Sequence, residues 1–267
     1  MYARIALRHR MTRVVVVACL GLFCSPAGPV VGADMSAYDV TSMLFRANPD
    51  GSVELSDKDL SRLDLSGLNF KRARLSGANL FGADLTDADL QGVDLSGAIL
   101  DRATVTRASF AHANLNRATL LRPNIHTTLE PSAGERTNFI GATMIEVRIS
   151  GRLDLVSFAT ADLTGAVFAP INRDGETLIT PRTDLNGCDF TAARLVNADL
   201  SFNALQFTRF VTADVRGARF VNADLSGADF SDADVSGADF SGAVLVDTRF
   251  DRAKGLESAV GLNLQNP

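Results

Sequence analysis

From Leu60 to Leu120, and again from Leu185 to Phe250, every fifth residue is Leu, Phe or Val. A helix needs apolar spacings of three and four, and a half-buried strand needs two, so a strict five belongs to neither. Two residues before each anchor stands a small residue, often Ala (Ala78, Ala83, Ala198, Ala223). Asp or Asn often fills the place between, and pairs such as Ser-Gly or Ser-Asp follow the anchor. In an extended segment residues two apart share a face. Ala223 and Leu225 are therefore predicted to face inward, Asp224 outward, and Ser226-Gly227 to turn the chain. One unit cannot bury its own apolar pair, so units must wind into a coil and the coils must stack.

The units ANLFG, ADLTD, ADLQG, ADLSG, ADFSD and ADVSG resemble the pentapeptide-repeat family, whose pattern is A(D/N)Lxx. The resemblance covers roughly residues 55–255 and implies an all-β fold. The expected form is a right-handed quadrilateral parallel β-helix with four repeats to each coil, so that positions 20 apart share a wall. On that coil Phe190, Phe210, Phe230 and Phe250 stack on one wall, and Phe220 and Phe240 on the wall opposite.

Two segments break the period, 121–138 and 169–183, and their Pro, Gly and polar residues read as loops. Between them the repeat persists, with one step short by a residue between Ile149 and Leu153, where a distortion is expected. Counted in quarter turns, the two loops are predicted to emerge near the same edge and to touch. The ends require caps, because a β-helix otherwise exposes unpaired strand edges. The expected organisation is a signal segment at 1–33, an N-terminal cap at 34–55 with a short helix around Ala37–Arg46, and the β-helix at 56–255. A C-terminal cap or tail at 256–267 completes it.

The signal segment is of another kind. Arg4, Arg8, Arg10 and Arg13 precede the apolar run Val14–Phe23, and small residues follow to Ala33. This is the pattern of a cleaved secretory signal, with cleavage expected after Ala33. The run is shorter than the roughly 20 apolar residues that span a bilayer, so no stable membrane span is expected after cleavage. The mature chain would then be exported, periplasmic or secreted, and would keep Cys188 alone of its three cysteines, without an internal disulfide.

Candidate chemistry is sparse. The formal charge of −5 argues against nucleic-acid binding. His9, His112 and His126 make no metal-ligand spacing with Cys or Asp, and the glycines open no phosphate-binding helix. No catalytic residue, metal or cofactor is expected, and the periodic Asp residues read as scaffold. The features left over are Phe202 and Phe207, which fall at turn positions where this chain usually places Gly, Ala, Asp or Asn. Outward aromatics there are candidate protein contacts, since aromatics are enriched at interfaces.

The resulting expectation is a non-enzymatic scaffold or protein-interaction module with an unknown protein partner. The resemblance supplies an alternative: some family members are dimeric, acidic rods that mimic DNA and bind DNA gyrase, which would also make this chain a homodimer. Against mimicry, outward residues 20 apart alternate in sign: Asp189, Arg209, Asp229, Arg249 on one wall and Asp199, Arg219, Asp239 on another.

Overall fold

The computed structural model describes residues 33–47, 52–71, 73–125, 136–168 and 182–262. All of them belong to one compact unit, Gly32–Pro267. It opens with α1 (Ala37–Arg46), at the position the sequence indicates. Ser36 caps this helix: its hydroxyl accepts from the Asp39 N–H, while the Asp39 carboxylate accepts from the Ser36 N–H at 2.9 Å, a reciprocal capping box. Val40 is the helix residue that is fully buried.

Beyond α1 the chain pairs with itself in parallel, coil upon coil, as Asp59 does with Asn79 and Asp64 with Asp84. The named strands are β1 (Val53–Glu54) with β2 (Ala73–Arg74), and β3 (Thr119–Leu121) with β4 (Arg148–Ser150). The remaining pairs are single bridges between the outward residues of successive coils, and they form four ladders. Ladder 1 runs through Asp59, Asn79, Ile99 and Thr119, and on through Asp199, Arg219 and Asp239. Ladder 2 contains Asp64, Asp84, Thr104 and Asn124, then Arg152, Asp184, Ala204 and Asp224. Ladder 3 contains Asn69, Asp89, Ser109, Asn138 and Asp189. Ladder 4 contains Arg74, Asp94, Asn114, Thr143 and Asp214. The charge alternation read from the sequence is present in these pairs: Asp189 bridges Arg209, Arg209 bridges Asp229, and Asp229 bridges Arg249.

Why the repeating unit is so short, and why Asp or Asn recurs in it, follows from where the backbone N–H groups go. In the unit around Leu65, the Leu65 N–H donates to the Asp84 carbonyl of the next coil (2.8 Å) and the Gly67 N–H to the Thr86 carbonyl (2.7 Å). The Leu68 N–H closes the turn on Leu65 (3.4 Å). In the next coil the Asp84 N–H reaches back to Leu63 (2.9 Å). One N–H per unit, that of the first turn residue, has no carbonyl to meet. The carboxylate two residues before it accepts instead, as Asp64 does from the Ser66 N–H at 3.1 Å and Asp84 from the Thr86 N–H at 2.9 Å. This is the local side-chain-to-backbone bond of an Asx turn, and with it the outward Asp or Asn completes the unit.

In three units whose outward residue does not accept, the coil below supplies the oxygen. Thr119 has no carboxylate, and Asp101 accepts from the Leu121 N–H at 2.9 Å. Thr143 is served by Asn116, which accepts from the Ile145 N–H at 2.8 Å. Ala204 is served by Asn186, which accepts from the Gln206 N–H at 3.0 Å.

The interior holds the anchors and the small residues; Ala223, Leu225, Ala228 and Phe230 are all fully buried. Its spine is a file of phenylalanines on ladder 3: Phe110, Phe139, Phe158, Phe190, Phe210, Phe230 and Phe250. Each neighbouring pair is stacked, with centroids 4.5–5.2 Å apart and planes within 9°. Phe220 and Phe240 stack on ladder 1 at 5.0 Å and meet the main file edge-on.

The interruptions leave this register intact. Ladder 3 pairs Ser109 with Asn138 across the first insertion, and Ser157 with Asp189 across the second. The coil runs on through the Thr104–Asn124 bridge before the first insertion and resumes at Asp184 after the second. The first therefore leaves between ladders 2 and 3, and the second between ladders 1 and 2. They thus leave at neighbouring edges and not at the single edge the count of quarter turns indicates; the predicted contact between the loops lies outside the described residues, as does the proposed signal segment up to Gly32. At the short step, Arg148 to Arg152, the coil loses one position, so that Asn138 pairs with Ser157. Gly151 there takes φ +119° with the Arg122 Cα directly beside it. Pairing persists toward the C-terminus as far as Val260, which bridges Asp239.

Candidate interaction surface

The turns place their second residue in the left-handed region. Glycine does this without strain, yet among the described residues many others have positive φ there, from Asp57 to Arg252. An L-residue in that conformation costs about 1 kcal/mol. The turns hold because the inter-coil hydrogen bonds of each unit fix the backbone on either side.

Phe202 (φ 63°) and Phe207 (φ 57°) are two of these residues. They occupy successive turns of one coil, Phe202 between ladders 1 and 2 and Phe207 between ladders 2 and 3, and are 54% and 70% exposed. The segment between them is closed. Asn203, Ala204 and Leu205 are buried, and Gln206 Nε2 spans to Asp224 Oδ2 at 2.7 Å. The two rings thus flank a covered strip.

Their seats differ. The Phe207 ring lies over Gly227 of the next coil, where a Cβ would come within 2.6 Å of the ring. The same arrangement recurs at His112 over Gly141, Leu155 over Gly187 and Asn222 over Gly242. Phe207 therefore has a packing role as well as an exposed face. The turn residue beyond Phe202 is Asn222, so Phe202 has no such glycine seat. Two exposed aromatics that the sequence did not single out lie on α1, Tyr38 (73%) and Phe45 (91%); Phe45 stands outside the period of five that made turn aromatics conspicuous.

The polar surface reads as structure. Asp64 is held below the usual carboxylate range by the Ser66 hydroxyl and N–H, and Asp239 likewise by Ser241. Arg252 and Asp232 meet at 2.6 Å, and Arg107 and Asp87 at 2.6 Å; pairs as exposed as these add little to stability. Cys188 is fully buried, its Sγ 3.0 Å from the Leu153 carbonyl, and burial pushes its thiol up. Among the described residues no three His, Cys, Asp or Glu side chains are grouped to hold a metal ion, and no helix is long and apolar enough to cross a membrane.

A chain that pairs with itself in parallel at every coil, through a turn at every fifth position, defines a stacked-coil repeat protein. The sequence model of pentapeptide repeats matches eight copies, at residues 59–97, 88–120, 181–202 and 208–247, and the chain belongs to the pentapeptide-repeat family. No curated protein matches the chain. Among solved structures it is similar to HetL, a pentapeptide repeat protein involved in heterocyst differentiation regulation from the cyanobacterium Nostoc sp. strain PCC 7120. That match has 23% identity, covers 84% of this chain and 96% of HetL, and has a TM-score of 0.32. A pentapeptide repeat protein from the Arabidopsis thaliana thylakoid lumen matches at 28% identity over 49% of this chain and 79% of its own, with a TM-score of 0.25. QnrB1, a plasmid-mediated fluoroquinolone resistance protein, matches at 18% identity over 76% of this chain and 91% of its own, with a TM-score of 0.30.

Proposed function

We propose that this chain is an exported, non-enzymatic solenoid, right-handed and four-sided in section, that serves as a scaffold or protein-interaction module. The observation that carries the reading is the pair Phe202 and Phe207. Both are more than half exposed, and both stand in a backbone conformation that disfavours a side chain. A purely structural turn is served better by glycine, as at Gly227, so large exposed rings there favour a contact role. Export is supported by the Arg-flanked apolar run Val14–Phe23 and the small residues up to Ala33.

Mimicry of DNA finds less support. A mimic needs unbroken acidic stripes, whereas Arg249 stands 3.4 Å from Asp229 and Arg219 3.9 Å from Asp199, each on the neighbouring coil of its ladder.

The test is affinity capture from the native compartment with the mature chain and with F202G/F207G. The expected result is a defined partner that is retained by the parent and lost by the double variant, whose melting temperature is unchanged or higher. Equal capture by both, or recovery of the uncleaved chain from the cytoplasm, overturns the contact or the export part respectively.

A further inference from the structure

The turns between ladders 1 and 2 carry, coil by coil, Arg62, Gly82, Arg102, Arg122 and Gly151. The backbone joins them directly: the Arg102 N–H donates to the Leu121 carbonyl (2.9 Å) and the Arg122 N–H to the Ser150 carbonyl (2.7 Å). Over these coils the outward residues beside the edge are Ile99, Thr119 and Arg148 on ladder 1 and Thr104, Asn124 and Arg152 on ladder 2. None is acidic, although the same ladders carry Asp59 and Asp64 before this stretch and Asp184 and Asp199 after it.

Among the described residues the edge is therefore a line of cations short of counter-charges. The Arg102 guanidinium lies 5.7 Å over the Phe81 ring. Arg122 and Arg148 have no carboxylate within ion-pair distance among the described residues, and Arg152 reaches Asp154 only at 3.7 Å with its side chain 83% exposed. Asp101, the acid on this edge, keeps its charge but holds the Leu121 N–H, and among the described residues it makes no ion pair with these arginines, which outnumber it. Arginines of the C-terminal coils are different: Arg216, Arg219 and Arg249 stand 2.7, 3.9 and 3.4 Å from Asp214, Asp199 and Asp229.

We propose that this edge, centred on Arg102, Arg122 and Arg152, binds an acidic polysaccharide. Guanidinium forks pair with carboxylate and sulfate through two parallel hydrogen bonds. Successive coils present them about 4.8 Å apart, so a linear polymer with a repeating charge is met at several points at once. Thr104 places a hydroxyl beside the cations, the Asn124 Nδ2 donates to the Arg102 carbonyl at 3.2 Å, and the Phe81 ring steadies the Arg102 guanidinium above it. A duplex nucleic acid presents one charge per roughly 1.7 Å along its axis, a spacing that guanidinium groups about 4.8 Å apart do not match. A lipid surface would also have to meet the acidic coils on both sides of the stretch. The reading is independent of Phe202 and Phe207.

The test uses the full chain against immobilised heparin, with dextran as the neutral control and duplex DNA and phosphatidylglycerol vesicles as rival polyanions. Heparin binding that is absent on dextran is expected, weakening at least about tenfold between about 50 and 200 mM salt. It should fall at least about tenfold in R102Q/R122Q/R152Q and stay at the parent value in R194Q/R219Q/R249Q. The Lys triple variant at the first three positions, which keeps the charge without the fork, should bind between the parent and the Gln variant. It serves as the deciding variant if the Gln triple fails to fold, and must then bind more weakly than the parent. Absence of heparin binding, equal loss in both Gln triples, or tighter binding to DNA or to the vesicles overturns the proposal.

Discussion

Phe158 and Phe190 stand on opposite sides of the second insertion, yet their rings stack with centroids 4.9 Å apart and planes at 5°. The insertion therefore costs the interior nothing at this level. Loss of either ring should be severe. Phe158→Ala removes a fully buried side chain with stacked neighbours on both sides, and about 3–5 kcal/mol of destabilisation is expected from urea unfolding. Phe190→Leu should be milder, because Leu90 already occupies the same ladder position in an earlier coil. An effect under about 1 kcal/mol for Phe158→Ala would mean that the file does not support the fold.

Gly227 and Phe207 form a second coupled pair. Gly227→Ala must place a methyl 2.6 Å from the Phe207 ring at φ +69°, and should lose about 1–3 kcal/mol. In the Phe207→Gly background only the backbone strain remains, so the loss should shrink by about half or more. A double-mutant cycle that shows simple additivity would contradict the seating of the ring.

The acceptor borrowed between coils can be moved. Asn116→Ala strands the Ile145 N–H and should cost about 1–2 kcal/mol. Thr143→Asn, which restores the acceptor at the usual place in the unit, should recover most of that loss in the double variant. Failure of rescue, with Thr143→Asn harmless alone, would show that the N–H is satisfied by other means.

The chain should weaken in acid. Asp64 and Asp239 are depressed below their unfolded values by serine hydroxyl and backbone donors. A group with a lowered folded pKa stabilises the fold above its unfolded pKa, and that contribution disappears as pH falls through the folded one. Urea midpoints are expected to stay level from about pH 7 to 5 and to drop below about pH 4. Ser241→Ala should move the Asp239 titration upward in an NMR pH series; an unmoved midpoint would remove the hydrogen bond as the cause.

The repeat itself was legible from spacing, because burial in a stacked coil repeats with the chain. Ala223, Leu225 and the Phe190–Phe250 file face inward where the period of five places them. The helix over Ala37–Arg46 was legible from local pattern, and its Ser36–Asp39 box explains its start. Pairings across the insertions were not legible. Nothing in the residues between Asn124 and Asn138 states that Ser109 and Asn138 will be partners. The structural purpose of Asp was only half visible: the sequence shows it outward, but its bond to the N–H two residues on depends on which carbonyls the neighbouring coil has already used. The cationic edge was hidden for a similar reason. Arg102 and Arg122 keep the regular spacing of the coil, but an insertion and a shortened step separate Arg122 from Arg152.

Because both insertions leave at turns and hand the chain on to the next ladder, the coil behaves as a chassis with interchangeable fittings. Peptides of other lengths could be grafted at the Ile125–Arg136 or Phe168–Arg182 junctions and displayed on neighbouring edges. The stacked phenylalanines beneath would keep the two ports in fixed register whatever cargo they carried.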